Sequence, residues 1–368
     1  KTTDSIEKEI KKGFTFLPRG CSITMERQAQ EYILKNIHEA VFNLKRLRKE
    51  CRSFTQNTGQ ELTYENFINN FNLDWRLVYK TPGSWSRLKV QSGIEVADFD
   101  VNDDYIKLLE GGLARLYHTN SHEYLSYLDN LIRMGMKHPE NATTRQNKFL
   151  KLFYYTICMN DIEKVNTNYN KNFNTIEEAV LSFANIKWFM EELRFLVTLR
   201  RNQLCQTTQW LKVSDEAEIE LYGCYSADEI HLLLEDKLGR WQVLGTQYNH
   251  ENKFAMVFVT LNKSDKEYSP STLYEDYAIS QEQFHWQSMN QVRQDSEEGR
   301  RITEQRTNGW KFILFVRDAK QDEYGNTNAY YCLGFMNYHS SHGECPMNVV
   351  WNMQNNIPGF ILENAKAI

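Results

Sequence analysis

The spacing of apolar residues changes near residue 212 of this 368-residue chain. Before that point, apolar residues recur at helical intervals, and Ser121 and Thr175 stand where helix N-caps are expected. After it, short runs of β-branched and aromatic residues alternate with turn residues, and a capping box at Ser226 opens one helix. The pattern predicts an α+β fold, with an N-terminal all-helical domain at 1–212 and a compact mixed β-barrel domain at 213–368.

Charge is divided unevenly between these two parts. Residues 1–212 carry 30 Lys and Arg against 25 Asp and Glu, whereas residues 213–368 carry 13 against 23. Contacts with phosphates supply most of the non-specific affinity of proteins for nucleic acids. An acidic C-terminal domain would therefore need a local patch to bind DNA.

The seven cysteines are scattered and odd in number, and no two form a CxxC pair. This usage favours reduced thiols and a cytoplasmic location. No apolar run approaches the length of a membrane span, and the charged start lacks the apolar core of a signal peptide. Because the chain begins with Lys1 rather than Met, we expect it to be part of a longer protein.

Aromatic and polar residues are concentrated between 273 and 288. In an extended strand, side chains alternate between two faces, so Phe284 and Trp286 would oppose His285 and Gln287. A base flipped out of DNA needs stacking partners and hydrogen bonds along its Watson–Crick edge. These residue types predict a modified-base pocket formed by Tyr274, Asp276, Tyr277, Phe284, His285, Trp286 and Gln287.

In this pocket, Asp276 would accept a hydrogen bond from the exocyclic amine of cytosine, and Trp286 or Phe284 would form an apolar wall for a methyl group. Two alternatives stay open. The segments can be a pair of core strands that bury their aromatic rings. A catalytic domain acting on a nucleotide would instead use Asp276 and His285 as an acid–base pair.

A second group of residues is expected to contact the DNA backbone. It includes the densest basic stretch of the acidic domain and a histidine-containing loop that follows it. An ordinary solvated helix face and an exposed loop explain the same residues without DNA. The predicted backbone contacts are Arg293, Arg300, Arg301, Arg306, Lys311, His339 and His342.

The sequence lacks the common catalytic motifs. We find no P-loop, no dinucleotide-binding glycine motif, no nucleophile elbow and no acidic cluster with two-metal spacing. His118 and His122 have the i, i+4 spacing of a zinc site, but the HExxH order and a third ligand are missing. We therefore expect a binding module that is not itself an enzyme and holds no metal or cofactor.

Several short segments of the chain form a family pattern: 258–264 (FVTLNKS), 268–272 (YSPST), 274–277 (YEDY), 284–288 (FHWQS), 314–317 (LFVR), 331–334 (YCLG) and 346–351 (PMNVVW), with 17–21 (LPRGC) and 29–34 (AQEYIL) upstream. With these segments, the C-terminal part resembles the last domain of a family of type IV restriction enzymes, the SauUSI-like group, which join a phospholipase D-type nuclease to a superfamily 2 helicase. Met289 departs from the family pattern, in which Gln is frequent at this place.

The resemblance implies that this chain is the recognition part of an ATP-dependent endonuclease active in defence against phages. The expected partners are double-stranded DNA carrying 5-methylcytosine or 5-hydroxymethylcytosine and the helicase and nuclease domains of the same parent chain. ATP and Mg²⁺ would serve those other domains. Residues 1–212 would connect the helicase to an SRA/PUA-like reader. The rival hypothesis is a protein-interaction module that docks a partner or forms a homodimer.

Overall fold

The computed structural model describes residues 44–80, 82–96, 98–204, 209–239, 245–262, 276–322 and 325–364. The chain divides into two compact units, Lys1–Ala114 and Arg115–Ile368. None of the helices in these described ranges has the length and apolar character needed to cross a membrane.

The first unit is helical where it is described. Thr63 and Ser84 cap two of its helices, because their hydroxyl oxygens accept hydrogen bonds from the backbone N–H groups of Asn66 and Arg87. The helices are α1 (Leu44–Thr58), α2 (Tyr64–Asn70), α3 (Arg76–Lys80), α4 (Trp85–Gln91) and α5 (Asp104–Arg115).

The second unit begins with more helices, and the N-caps predicted at Ser121 and Thr175 are confirmed. The predicted capping box is also present, since Ser226 and Glu229 exchange both of its hydrogen bonds. The helices of this unit are α6 (His122–Arg133), α7 (Thr144–Cys158), α8 (Ile162–Tyr169), α9 (Ile176–Ser182), α10 (Lys187–Asn202), α11 (Ala227–Glu235), α12 (Glu297–Thr303), α13 (Gln305–Asn308) and α14 (Gly359–Asn364), with 3₁₀ turns at Leu116–His118 and Phe183–Asn185.

Strands appear only after residue 209 in the described part of the chain, so the mixed α+β class is confirmed. The strands are β1 (Trp210–Lys212), β2 (Glu218–Glu220), β3 (Cys224–Tyr225), β4 (Thr246–Asn249), β5 (Phe254–Thr260), β6 (Tyr277–Ala278), β7 (Gln283–Gln287), β8 (Lys311–Arg317), β9 (Tyr330–His342) and β10 (Asn348–Met353).

β1 and β2 form a separate antiparallel pair, and the other strands form one mixed sheet. Its order is β4-β5-β8-β9-β10-β7-β6, with β3 paired to β9. The β5–β8 pair is parallel and the remaining pairs are antiparallel. Between the described strands no pairing joins β4 to β6, so the sheet is open rather than a closed barrel.

One face of this sheet is apolar along all the strands from β5 to β6. Trp351 and Phe312 lie at its centre, with their ring centroids 4.8 Å apart. Ile302 of α12 and Ile361 of α14 pack against the same cluster. Burial of this face removes a large apolar area from water, which is the main stabilising contribution to such a layer.

The opposite face differs between the two ends of the sheet. At the β5–β8 end it is apolar, because Phe258 stacks on Phe315 at 5.4 Å and on His231 of α11 at 6.4 Å. At the β6–β7–β10–β9 end, it carries polar side chains that are half-buried or exposed, apart from His285, which is buried.

Candidate nucleic-acid interface

Strand β7 separates the predicted pocket residues onto two faces of the sheet, as the alternation in the sequence predicted. Phe284 and Trp286 lie in the hydrophobic core, opposite Trp351 and Val349 of β10. Trp286 is only 3% exposed. The structure therefore does not bring these two rings together with His285 and Gln287, which point to the opposite face.

That opposite face forms a polar surface across four strands. Its side chains stand in three rows, because residues paired across neighbouring strands share a face and stand about 5 Å apart. We call this surface the polar face, and its members are Tyr277 of β6, Gln283, His285 and Gln287 of β7, Asn348, Val350 and Asn352 of β10, and Asn337, Ser340 and His342 of β9.

The central row of the polar face crosses all four strands. Tyr277 pairs with His285, and their rings stack in parallel with centroids 4.6 Å apart and planes 16° apart. His285 pairs in turn with Val350, which pairs with Ser340. The row thus places an aromatic ring, an imidazole, an aliphatic side chain and a hydroxyl side by side.

Carboxamides line the row on both sides. Gln287 Nε2 donates to Asn348 Oδ1 at 2.9 Å in one flanking row. Gln283 Nε2 donates to Asn352 Oδ1 at 3.0 Å in the other. Each pair combines donors and acceptors, which is the chemistry that proteins use to bind the edges of bases.

Asp276 lies at the edge of the sheet, where its Oδ1 accepts a hydrogen bond from the backbone N–H of Gln287 at 3.0 Å. This contact brings Asp276 next to the polar face and orients its carboxylate along the backbone of β7. Tyr274, the remaining predicted pocket residue, lies outside the described residues.

The charge of the polar face contrasts with that of its domain. None of its ten residues is an Asp or a Glu, whereas residues 213–368 contain 23 carboxylate side chains. Two of the ten are histidines, and the remaining eight carry no formal charge at neutral pH. A polyanion can therefore approach this surface without a carboxylate directly beneath it.

Three of the predicted backbone-binding cations take part in contacts within the protein. Arg293 forms ion pairs with Asp295 and Glu344, each at 3.3 Å. The Arg301 guanidinium lies over the rings of two aromatic residues at 5.2 and 5.3 Å. Lys311 Nζ donates to a backbone carbonyl at 2.7 Å.

The other four predicted contacts, Arg300, Arg306, His339 and His342, are exposed. His342 pairs with Asn348 and belongs to the polar face, so the structure joins it to the predicted pocket residues. His339 lies at the irregularity in the β9–β10 pairing that separates Ser340 from Tyr338. Arg300 and Arg306 lie on the short helices α12 and α13, and α12 packs through Ile302 against the apolar face, so Arg300 is not part of the polar face.

Six members of the polar face were not among the predicted site residues: Gln283, Asn337, Ser340, Asn348, Val350 and Asn352. Alternation along β10 was the available signal, because Asn348 and Asn352 alternate with the buried Val349 and Trp351, although the apolar Val350 interrupts the pattern. The sequence could not show that β10 lies beside β7, since the two strands are separated by 60 residues of chain.

Within the described residues, no group of three or more His, Cys, Asp or Glu side chains is placed to hold a metal ion. His118 Nε2 lies 2.7 Å from Glu229 Oε2, and His122 begins helix α6.

Comparison with known proteins adds one finding. No curated protein matches this chain. Residues 219–364 match a family model described as a domain of unknown function, DUF3427. This range contains all ten residues of the polar face, so the chain carries a DUF3427 domain whose sheet displays that surface.

Proposed function

We propose that this chain is the DNA-recognition part of a modification-dependent restriction enzyme, and that its polar face binds 5-methylcytosine or 5-hydroxymethylcytosine in DNA. The observation that carries the proposal is the central row of the polar face, in which a stacked Tyr277–His285 pair lies between two rows of carboxamides.

The row suits a nucleobase for physical reasons. Stacking a base on an aromatic side chain stabilises a complex by about 1–3 kcal/mol. The carboxamides can hydrogen-bond to the amine and ring nitrogen of a base, and their edges become accessible when the base is flipped out of the helix. In this proposal Phe284 and Trp286 support β7 from the core, while Tyr277, His285 and Gln287 face the base.

The resemblance of the sequence to type IV restriction enzymes supports the same assignment. On this proposal the helicase and nuclease domains of the parent chain hydrolyse ATP and cut DNA. Residues 1–212 connect them to a reader at 213–368. The mixed open sheet is compatible with an SRA/PUA-like reader, which we propose as its fold relationship.

The first prediction separates recognition of the base from attraction to the backbone. In the full chain, we expect Tyr277→Ala to reduce the preference for a methylated duplex over its unmethylated match, because a stacking partner is lost. Arg300→Ala should weaken binding to both duplexes equally and lower the salt dependence by about one counterion. Fluorescence-anisotropy titrations over a range of salt concentrations measure both effects.

If the two variants change the two affinities in the same way, the division between base contact and backbone contact is wrong. Circular dichroism of each variant checks that the fold is retained. Lys320→Ala, which removes an exposed cation elsewhere in the domain, serves as the matched control for Arg300→Ala.

The acidic balance of the domain favours a second candidate, a module that docks a protein or forms a homodimer. Its 23 Asp and Glu against 13 Lys and Arg oppose binding to DNA outside the polar face. Sedimentation of the full chain distinguishes the candidates: a tight dimer with no measurable affinity for DNA would favour the interaction module.

A further inference from the structure

We propose that Val350 is the residue that senses the 5-methyl group of the modified cytosine. This inference rests on the proposed function and names the side chain of the polar face that would distinguish the modified base from the unmodified one.

Val350 has a chemically distinct position in the polar face. It is the single aliphatic side chain among the ten residues, and it is half-buried at the surface of the sheet. Both of its chain neighbours, Val349 and Trp351, are fully buried in the core below. Its methyl groups therefore offer a ligand an apolar contact in the central row, whereas the exposed Ile279 lies beside Gln283 at the end of β6.

The position of Val350 relative to the other rows suits a cytosine ring. His285 stands beside it on β7, and the stacked Tyr277 ring follows on β6. Asn348 and Asn352 stand on either side of it along β10, each about 7 Å away because alternate residues share a face. Because His285 is buried and stacked on Tyr277, a base would lie over the outer edge of this row, with one ring edge near Val350 and its polar groups near the carboxamides.

This arrangement accounts for discrimination by apolar contact. A methyl group on the ring gains by contacting an aliphatic side chain instead of water, and aliphatic contact is how proteins read the methyl group of thymine. An unmodified cytosine makes the same hydrogen bonds but leaves Val350 in contact with solvent. The affinity difference between the two bases should then depend on the side chain at position 350.

The charge of the surface supports DNA as the occupant. The row that contains Val350 has no carboxylate, and neither do the rows beside it, although the domain as a whole is acidic. Asp276 lies beside this face at the sheet edge, where its carboxylate accepts a backbone N–H. The face consists of five carboxamides, two histidines, a tyrosine, a serine and a valine, so it offers a base stacking and hydrogen-bonding groups but offers a charged peptide no Lys, Arg, Asp or Glu to pair with.

The test uses Val350→Thr and Val350→Ala in the full chain, with matched duplexes that contain cytosine, 5-methylcytosine or 5-hydroxymethylcytosine. Burial of one methyl group corresponds to about a fourfold affinity difference. We expect the unmutated chain to show at least this preference for 5-methylcytosine and both variants to lose most of it. Val350→Thr retains the branched shape suited to a strand but adds a hydroxyl, so it should favour 5-hydroxymethylcytosine relative to 5-methylcytosine.

Val96→Thr makes the same chemical change at an exposed position and serves as the control. Thermal unfolding of all variants shows whether the fold persists. If the unmutated chain has no preference for methylated DNA, the proposed function itself fails. If the unmutated chain has the preference and both folded Val350 variants keep it, the proposed function stands and the assignment of methyl recognition to Val350 is wrong. Equal loss of affinity for all three duplexes would also overturn that role.

Discussion

At the scale of single residues, Glu229 has a local partner that the sequence predicted, Ser226, and a distant partner that it did not predict, His118. Its carboxylate closes the capping box of α11 by accepting the backbone N–H of Ser226 at 2.8 Å. It also accepts a hydrogen bond from Thr156 Oγ1 at 2.7 Å and lies 2.7 Å from His118 Nε2. Burial raises the pKa of this carboxyl, but His118 and the hydrogen-bond donors outweigh burial and lower it from 4.5 to about 2.

This pKa predicts how stability depends on pH. Because the pKa of Glu229 is lower in the folded state than its ordinary value of 4.5, its contribution is complete above pH 4.5. The contribution is lost as the pH falls from 4.5 towards 2. Glu229→Gln should therefore lower the free energy of unfolding by about 3 kcal/mol at pH 7, since it breaks a buried pair.

Urea unfolding of the unmutated chain and of the Glu229→Gln variant at pH 7 and pH 3 measures this effect. The difference between the two proteins should shrink at pH 3, where the carboxyl begins to be protonated. A difference that stays constant over this range would contradict the assignment. The capping box was predictable because Ser226 and Glu229 are three residues apart, whereas the partner His118 lies 111 residues away.

At the scale of elements, one arginine joins two helices to the small β1–β2 sheet. Arg145 of α7 donates to both carboxylate oxygens of Glu218 on β2, at 2.6 and 2.8 Å, and to Glu123 of α6 at 3.0 and 3.1 Å. Its guanidinium lies over the ring of Trp210 at 4.3 Å, and Trp210 Nε1 donates to Glu123. The planar fork of arginine can make these contacts together, and lysine cannot.

We expect Arg145→Ala to destabilise the protein by roughly 1–2 kcal/mol, a value reduced from that of a buried network because the side chain is partly exposed. Lys151→Ala on the same helix should cost less than about 1 kcal/mol, because Lys151 makes one exposed ion pair with Asp236. Arg145→Lys should recover little of the lost stability. Denaturant unfolding of the three variants tests the order, and equal effects of Arg145→Ala and Lys151→Ala would show that the network adds nothing.

The location of a strand along the sequence was more predictable than the identity of the strands that lie beside it in the sheet. Alternation between apolar and polar residues located β7 and assigned Phe284 and Trp286 to one face and His285 and Gln287 to the other. The order of strands depends on pairings between distant segments, such as Val350 with His285 and Ser340. Local patterns carry no information on such pairings, so the three rows of the polar face could not be derived from the sequence.

At the scale of the whole molecule, the order of the strands determines where uncharged residues gather within an acidic domain. Residues 213–368 are acidic, and the ten described residues of the polar face at the β6–β7–β10–β9 end nevertheless include no Asp or Glu. Charge counts from the sequence predicted that DNA binding would need a local patch. The location of that surface depends on the fold, because its residues come from four strands spread over residues 277–352.

The measurement that tests the central claim most directly is the affinity of the full chain for two duplexes that differ only in one 5-methyl group. Fluorescence anisotropy at fixed salt, with the unlabelled duplexes as competitors, gives both dissociation constants. We predict that the methylated duplex binds about fourfold more tightly or better. Equal dissociation constants for the two duplexes would contradict the proposal that this protein recognises modified cytosine.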